Sequence, residues 1–337
     1  MKLIHTKREL KFILFSALFL SLVGCGKSYH ETTEDYVLVA DNVKLPYWQE
    51  AAAGMKQAAA QLEVRYEVVG PEKHDPKAQH EEFQRLLARK VPPVGILVSA
   101  SDPELMKGDI DAAIGQGIPV IAIDSDAASS KRLFFIGTEN YAIGLMGGQL
   151  TAKLMQGKGN VVVLTMPEQA NLAQRLRGYQ EAFASHPGIK IVQVVDMKGD
   201  PAVAFDTVKD IVTNGKVKPD AFVCLEAIGG AEVAEVLDRN QVKDKIVIAM
   251  DTDQTTLEGV KKGAISATIA QKPFSMAFVG VKMLDDLYHH KPQSLLTNWA
   301  QDRSAPIPSF VDTGSTLITK DNVATFQSAA SAAPEKK

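Results

Sequence analysis

Short apolar runs alternate with longer amphipathic segments through most of the chain. Nine runs rich in Val, Ile, Leu and Ala predict strands at 36–40, 65–69, 94–98, 119–123, 160–165, 189–195, 220–225, 245–250 and 267–270. Between 48 and 62 an apolar residue recurs every three or four positions, at Trp48, Ala52, Met55, Ala59 and Leu62. This spacing predicts a helix with one apolar face. Apolar strands that alternate with helices predict a parallel sheet covered on both sides.

One strand pattern occurs twice. "PVIAIDSD" (119–126) returns as "IVIAMDTD" (246–253), and each copy follows a helical segment and another apolar strand. The repeat predicts two similar α/β lobes rather than one large sheet. We expect the second aspartate of each copy, Asp126 and Asp253, to cap a helix.

Polar residues stand at the carboxyl ends of the predicted strands, where open α/β sheets bind ligands. These residues are Asp41, Ser99, Asp124, Glu226 and Asp251. Tyr47 and Trp48 follow the first strand end closely, and two adjacent rings cannot both face one core. If the lobes face each other, all these side chains line a cleft between them.

The N-terminus has the features of an export signal. Basic residues precede an apolar run at Phe12–Val23, which is too short to span a bilayer and ends in "LVGC". This ending resembles the bacterial lipobox, which implies cleavage before Cys25 and a lipid on its sulfur. The alternative is an ordinary signal peptide cut near Gly24. We therefore predict a signal peptide at 1–24, a polar tether at 25–35 and a chain held at a bacterial membrane by its lipid alone, with its body in the periplasm or outside the cell.

The net charge of the chain argues against one class of partner. Residues 1–24 carry four basic and one acidic residue, so their removal changes the net charge from −3 to −6. A chain this acidic is not expected to bind nucleic acid. The other cysteine, Cys224, is predicted to be a small buried hydrophobe, and no disulfide can form if Cys25 is acylated. No pattern indicates a cofactor or a metal, and His289 and His290 are predicted to lie at an exposed helix end.

Several longer segments carry a family resemblance. They include "LPYWQEAAAGMKQAA", "GIPVIAIDSD", "RLRGYQEAF", "AMDTDQTTLEGVKKGAISATIAQ" and "VDTGSTLITKDNV". In this order and spacing, the chain resembles the periplasmic sugar-binding proteins of the ribose-binding type, the ligand receptors of bacterial ABC importers. The resemblance covers roughly residues 36–325.

The resemblance implies a monomer with the type I periplasmic binding protein fold: two Rossmann-like lobes with parallel sheets, joined by three hinge crossings. The crossings would fall near Thr138–Glu139, Gln271–Lys272 and Ser309–Val311. The first lobe would contain 36–138 and 272–308. The second would contain 139–271 and 309–325, followed by a disordered tail at 326–337.

The resemblance also assigns roles in the cleft. Tyr47 and Trp48 would sandwich the faces of a sugar, and Asp124 and Asp251 would accept its hydroxyl protons. Arg177 would donate from the second lobe. The remaining ligand contacts would come from Ser99 and Gln271, with Asp41 and Glu226 beside them. The same helix carries Arg175, for which we make no assignment.

The chain departs from the ribose pattern at several places. Leu45 and Glu226 stand where that group has asparagines, Ser125 replaces an arginine, and Gly199 lies near an expected aromatic residue. The site loses a cation and gains a carboxylate, so we expect a small sugar or polyol other than ribose.

Other functions stay open at the level of sequence. GxSxG, HExxH and P-loop motifs are absent, and no GxGxxG follows the first strand, which argues against an enzyme. An acidic cluster could still serve glycoside hydrolysis, which needs two facing carboxylates. A sugar-responsive repressor would carry a helix-turn-helix where this chain has its lipobox. A sensory subunit that presents ligand to a chemoreceptor or histidine kinase, rather than to an ABC permease, has the same sequence features.

Overall fold

The structure is a computed structural model that describes residues 30–215, 218–290 and 306–331. Cys25, the predicted signal peptide and Trp299 lie outside these ranges. The strands are β1 (Asp35–Val39), β2 (Arg65–Val69), β3 (Gly95–Val98), β4 (Val120–Ile123), β5 (Phe135–Gly137), β6 (Lys158–Thr165), β7 (Gly188–Asp196), β8 (Ala221–Cys224), β9 (Ile246–Met250), β10 (Ala267–Ala270), β11 (Phe310–Asp312) and β12 (Thr316–Ile318). The helices are α1 (Pro46–Leu62), α2 (Pro76–Leu87), α3 (Pro103–Gly115), α4 (Asn140–Leu154), α5 (Ala170–Ala184), α6 (Pro201–Asn214), α7 (Gly229–Arg239), α8 (Gln254–Lys262), α9 (Pro273–His289) and α10 (Val323–Ser331).

The strands form two six-stranded sheets with the same order. One sheet runs β2-β1-β3-β4-β5-β11 and the other runs β7-β6-β8-β9-β10-β12. The pairs are parallel except β10 with β12, which is antiparallel. The predicted repeat is therefore real, because β4 and β9 occupy the same place in their sheets. The two-lobed α/β fold predicted from the sequence is confirmed.

The sheets also show where the chain changes lobe. The chain leaves the first sheet after β5, at Thr138–Glu139, and returns to the first lobe through α9 after Gln271–Lys272. The third crossing is corrected: β11 pairs with β5, so Phe310–Asp312 belongs to the first sheet and the chain crosses between Asp312 and Thr316. A three-residue strand that carries one aspartate is too short and too polar for periodicity to reveal.

Both lobes are built around apolar strands. The central strands of each sheet are fully buried, and Cys224 lies among them as a small apolar residue. In the described part of the chain, no helix is both long and apolar enough to cross a bilayer. The buried strands thus provide rigid supports that bring their carboxyl ends together at one cleft.

The two repeated aspartates beyond the strand ends differ from prediction in one case. Asp253 caps α8, since its side chain accepts a hydrogen bond from the Thr256 amide. Asp126 opens no helix; its carboxylate instead pairs with the Arg132 guanidinium. The expectation for Asp126 was wrong because the segment after β4 turns directly toward β5.

Candidate ligand-binding site

A cavity of about 60 Å³ lies between the two lobes at the carboxyl ends of both sheets. It is lined by Asp41, Leu45, Tyr47, Trp48, Ser99, Asp124, Met166, Gln169, Asn171, Leu172, Arg175, Glu226, Ala227, Asp251 and Gln271. A second cavity of about 270 Å³ adjoins it past Leu45 and Tyr47. Eight of the nine residues predicted for the cleft therefore meet in one place.

Asp124 and Asp251 occupy equivalent positions at the ends of β4 and β9. Both have a left-handed backbone, with φ of 62° and 66°. Aspartate tolerates this conformation better than most residues, but it remains uncommon and clusters at functional sites. The turn directs both carboxyl groups from their own lobes into the shared cavity.

Hydroxyl groups of the first lobe hold Asp124. The Tyr47 hydroxyl donates to Oδ1 at 2.6 Å, and Ser99 Oγ donates to Oδ2 at 3.1 Å. Burial raises the pKa of Asp124, while these hydrogen bonds and the charge of Arg175 oppose the rise. Asp124 is thus a desolvated carboxyl group with donors on one side and the cavity on the other.

The two aromatic rings do not form the expected sandwich. Tyr47 and Trp48 pack edge to face, with centroids 5.1 Å apart and planes at 79°. Trp48 is only 4% exposed and also belongs to the core of the first lobe. The rings therefore form one corner of the cavity rather than two facing walls, and Tyr47 additionally orients Asp124 through its hydroxyl.

The guanidinium in the cavity belongs to Arg175. Its Nε donates to Asn140 Oδ1 at 2.8 Å, one Nη to the Leu225 carbonyl at 2.6 Å, and the other to Gln271 Oε1 at 2.7 Å. These bonds use three of its five N–H groups within the described chain. The side chain, 2% exposed, is held rigidly at the boundary of the two lobes.

Arg177 does not reach the cavity, which corrects the sequence-based assignment. Its side chain is exposed and its guanidinium lies 5.6 Å from the Tyr141 ring. Helical spacing explains the difference, because Arg175 shares the buried face of α5 with Leu172 and Tyr179. At Gly178 a Cβ atom would lie 2.3 Å from the Tyr141 carbonyl oxygen, so glycine lets α5 approach α4 closely enough to bury Arg175.

Amide groups of the second lobe hold Asp251. The backbone and side-chain nitrogens of Gln271 donate to it at 3.3 Å. Gln271 Oε1 meanwhile accepts from Arg175 and, at 3.1 Å, from the Thr138 hydroxyl. Burial raises the pKa of Asp251 to about 7, against the opposing effects of Arg175 and Gln271. Gln271 therefore connects Arg175, Asp251 and Thr138 at the first crossing.

Glu226 serves as an N-terminal cap as well as a cavity residue. Its two carboxylate oxygens accept from the amides of Ile228 and Gly229, each at 2.8 Å, where α7 begins. Burial raises its pKa to about 7, and these hydrogen bonds limit the rise. The carboxylate is thus fixed by backbone groups, and any ligand contact adds to those bonds.

Asp41 connects the lobes indirectly. Its Oδ1 lies 2.7 Å from Nδ1 of His74. Burial lowers the pKa of the His74 imidazole, but the hydrogen bond and the charge of Asp41 outweigh burial, so that the pKa is raised. A Cβ atom at Gly199 of the second lobe would lie 2.4 Å from His74 Cβ. The lobes therefore touch here, with glycine in place of the aromatic residue expected near this position.

Sequence reasoning missed part of the lining, above all Met166, Gln169 and Asn171. Met166 directly follows β6, which occupies the place of β1 in the second sheet. The rule that identified Asp41 after β1 would have identified this segment too, had it been applied to every strand end.

Comparison with known proteins agrees with this architecture. A model of the periplasmic binding protein domain matches residues 36–292. The chain is 23% identical over 254 residues to the ribose import binding protein RbsB of Bacillus subtilis (strain 168), covering 73% of this chain and 79% of that protein. The solved structure of AraP, an arabinose binding protein from Geobacillus stearothermophilus, is 34% identical with a TM-score of 0.72, covering 87% of this chain and 99% of AraP.

A solved complex of XylFII with LytSN contains another similar chain. It is 25% identical with a TM-score of 0.76, and the match covers 86% of this chain and 99% of that one. Since the family model spans most of the sequence and the strand order repeats in two lobes around one cleft, this chain belongs to the periplasmic binding protein family, as its resemblance predicted.

Proposed function

We propose that this protein is a lipid-anchored solute-binding protein that captures a small neutral sugar or polyol between its lobes and delivers it to an ABC importer. One observation carries the proposal: Asp124 and Asp251, from equivalent strand ends of the two lobes, share a buried cavity with Arg175. A ligand that bonds to both aspartates joins the lobes and stabilises the closed form.

The chemistry of the lining suits a polyhydroxylated ligand. Carboxylates accept hydrogen bonds from hydroxyl groups, and a guanidinium donates hydrogen bonds to ligand oxygens. The corner formed by Tyr47 and Trp48 offers apolar surface for the C–H groups of a sugar ring. Together with the adjoining cavity, the space suits a ligand of about monosaccharide size. AraP and RbsB, named for arabinose and ribose, support this class of ligand.

The charge of the lining disfavours acidic ligands. Among its described residues are four carboxyl groups and one guanidinium: Asp41, Asp124, Glu226, Asp251 and Arg175. A uronic acid or sugar phosphate would face this acidic excess. An amino sugar remains the minority alternative, because its ammonium group could pair with Glu226.

A thermal-shift screen followed by calorimetry tests the proposal. The ligands are neutral pentoses, hexoses and polyols, each with an amino or acidic counterpart. We expect a neutral compound to raise the melting temperature by mass action and to bind with one molecule per chain. Preferential binding of a uronic acid or sugar phosphate would contradict the charge argument. Turnover of chromogenic glycosides would favour the enzyme alternative instead.

Glu226→Gln separates neutral from cationic ligands. The Ile228 and Gly229 amides donate to different oxygens of Glu226, and in glutamine one of these oxygens becomes an NH2 donor, so the substitution itself disturbs the start of α7. The informative quantity is therefore the affinity ratio between an amino sugar and its neutral parent, measured in both proteins. We expect the ratio to stay unchanged for a neutral-sugar site and to fall by a large factor for a site that pairs an ammonium group with Glu226.

Small-angle scattering tests closure. The radius of gyration should decrease when the identified ligand saturates the protein. An unchanged radius under saturation would contradict a hinge mechanism, and binding would then occur in an already closed cleft.

The lipid anchor needs a separate test, since Cys25 lies outside the described residues. Cys25→Ser should move the protein from the membrane fraction to the soluble fraction. Cys224→Ser is the matched control and should leave the protein at the membrane. A Cys25→Ser protein that is processed yet stays membrane-bound would contradict the anchor.

Ligand delivery to a sensory protein is the second candidate. The similar chain in the XylFII–LytSN complex, which is bound to another protein, favours it. Deletion of the gene should abolish uptake of radiolabelled ligand if the partner is a permease. Normal uptake with a lost transcriptional or chemotactic response would favour the sensory role.

A further inference from the structure

Four chemically reactive side chains meet on the first lobe, away from the cleft: His30, Glu34, Asp285 and His289. His30 and Glu34 precede β1, and the other two lie one turn apart at the end of α9. Helix α9 begins beside the cleft and its 17 residues span about 25 Å. The cluster therefore lies at the amino ends of the strands, on the opposite edge of the first sheet.

The four side chains converge closely. Nε2 of His30 lies 3.1 Å from Asp285 Oδ2, and Nε2 of His289 lies 3.1 Å from Glu34 Oε2 and 3.7 Å from Asp285 Oδ1. One ligand-type atom from each residue lies within 4.8 Å of each of the others. The two imidazole rings meet edge to face at 5.1 Å.

Burial distinguishes this cluster from an ordinary surface charge group. Glu34 is 3% exposed and Asp285 is 6% exposed. Carboxylates buried this deeply place negative charge in a desolvated position, which is costly unless positive charge lies beside them. A divalent cation would supply that charge.

Outer hydrogen bonds fix the carboxylates as they do around metal ligands in proteins. The Tyr36 hydroxyl donates to Asp285 Oδ1 at 2.9 Å, and the Glu31 amide donates to Glu34 Oε1 at 2.8 Å. Each carboxylate thus has one oxygen held by the protein and a second directed at an imidazole.

The ligand set indicates which metal fits. Two nitrogens and two oxygens form a four-coordinate set of the kind that zinc takes, whereas calcium requires six to eight oxygens. Tetrahedral zinc with bonds near 2.0–2.1 Å places its ligand atoms about 3.3 Å apart. Several pairs already stand near this separation, so small side-chain movements complete the geometry.

We propose that His30, Glu34, Asp285 and His289 bind one divalent transition-metal ion, best matched by zinc, which fastens the segment before β1 to the end of α9. This segment is the last part of the tether predicted at 25–35. The ion would set the point at which the body of the protein is attached to that tether, independently of the sugar site.

Calorimetric titration of the full-length, EDTA-treated protein with zinc chloride at near-neutral pH tests the site. We expect one zinc ion per chain, with affinity reduced at least about 100-fold in His289→Gln. The matched control is His290→Gln: His290 is the next residue, is exposed and pairs with Asp286. This control should retain the wild-type affinity. Equal affinity in the wild type and His289→Gln, or no stoichiometric zinc binding, would overturn the proposal.

Two further measurements guard against misfolded variants and chance binding. Cobalt(II) should give the intense visible absorption of a tetrahedral site in the wild type and in His290→Gln but not in Asp285→Asn, whose circular dichroism should match the wild type. Zinc should also slow amide hydrogen exchange at residues 30–34. If zinc binds without changing exchange there, the ion does not fasten this segment.

Discussion

The two halves of the cleft hold their strand-end aspartates in the same backbone conformation but surround them differently. In the first lobe, Asp124 accepts from two hydroxyl groups, those of Tyr47 and Ser99. In the second lobe, Asp251 accepts from Gln271, whose own oxygen is committed to Arg175. A hydroxyl group can reverse its role from donor to acceptor, whereas a guanidinium only donates and the Gln271 side chain could reverse only by turning its oxygen away from Arg175. The first half is therefore adaptable and the second half is fixed.

Removal of Arg175 should have the largest effect, because it takes the cation from the fixed half. Arg175→Met removes the charge that favours the ionised forms of Asp124 and Asp251, together with the donor that holds Gln271, so we expect binding to weaken by roughly 3 kcal/mol, the upper end for a hydrogen bond to a charged group. Arg177→Met, two residues away on the exposed face of α5, should change affinity little. Calorimetry with the identified ligand checks both. A larger loss for Arg177→Met would return the cation role to that residue.

Truncation of the aromatic corner should come next. Trp48→Ala should weaken binding by about 2 kcal/mol, the loss typical of a desolvated aromatic anchor. It should also lower stability, because Trp48 belongs to the core. Trp48→Phe is the control that keeps most of the packing. The change in tryptophan fluorescence that the ligand causes should largely disappear in both variants. Full affinity in Trp48→Ala would assign this residue to the core alone.

The aspartates themselves should respond unequally to neutralisation. In Asp124→Asn the Tyr47 and Ser99 hydroxyls can reorient, so we expect a loss of roughly 1–2 kcal/mol for a weakened charge-assisted hydrogen bond. In Asp251→Asn the new amide faces the Gln271 amide, which cannot rotate without abandoning Arg175. We expect a loss larger by about 1 kcal/mol, measured by calorimetry. Equal losses would show that the second half is as adaptable as the first.

A change of pH should have the smallest effect, a shift between the open and closed forms of the ligand-free protein. Burial raises the pKa of Asp251 to about 7 in this structure, against 3.8 for an exposed aspartate, and we expect an open cleft to expose this residue. The closed form therefore binds this proton more tightly than the open form. The stability that the proton adds to the closed form is complete below about pH 3.8 and is lost as the pH rises through about 7. Scattering should show a larger radius of gyration at about pH 8 than at about pH 5. Asp251→Asn should reduce this change, and an opposite trend would contradict the raised pKa.

Local pattern was enough for much of the architecture. The internal repeat around Asp124 and Asp251 predicted two similar lobes because each copy is a buried strand followed by a turn, and both features are local. The position of β11 was not predictable, since three residues carry no periodicity and their pairing depends on a strand far away in sequence. Asp126 was misassigned for a different reason: a loop rather than a helix follows it, and this loop places Arg132 beside its carboxylate.

The sequence by itself determined the fold class, the repeat and most of the strand-end residues that meet in the cleft. Only the tertiary structure decided between Arg175 and Arg177, set the angle between Tyr47 and Trp48, and brought His30 beside His289. Each of these depends on how close two helices or two distant segments approach. Strand ends follow from short-range periodicity, but the direction of a side chain between packed elements follows from contacts that sequence spacing does not record.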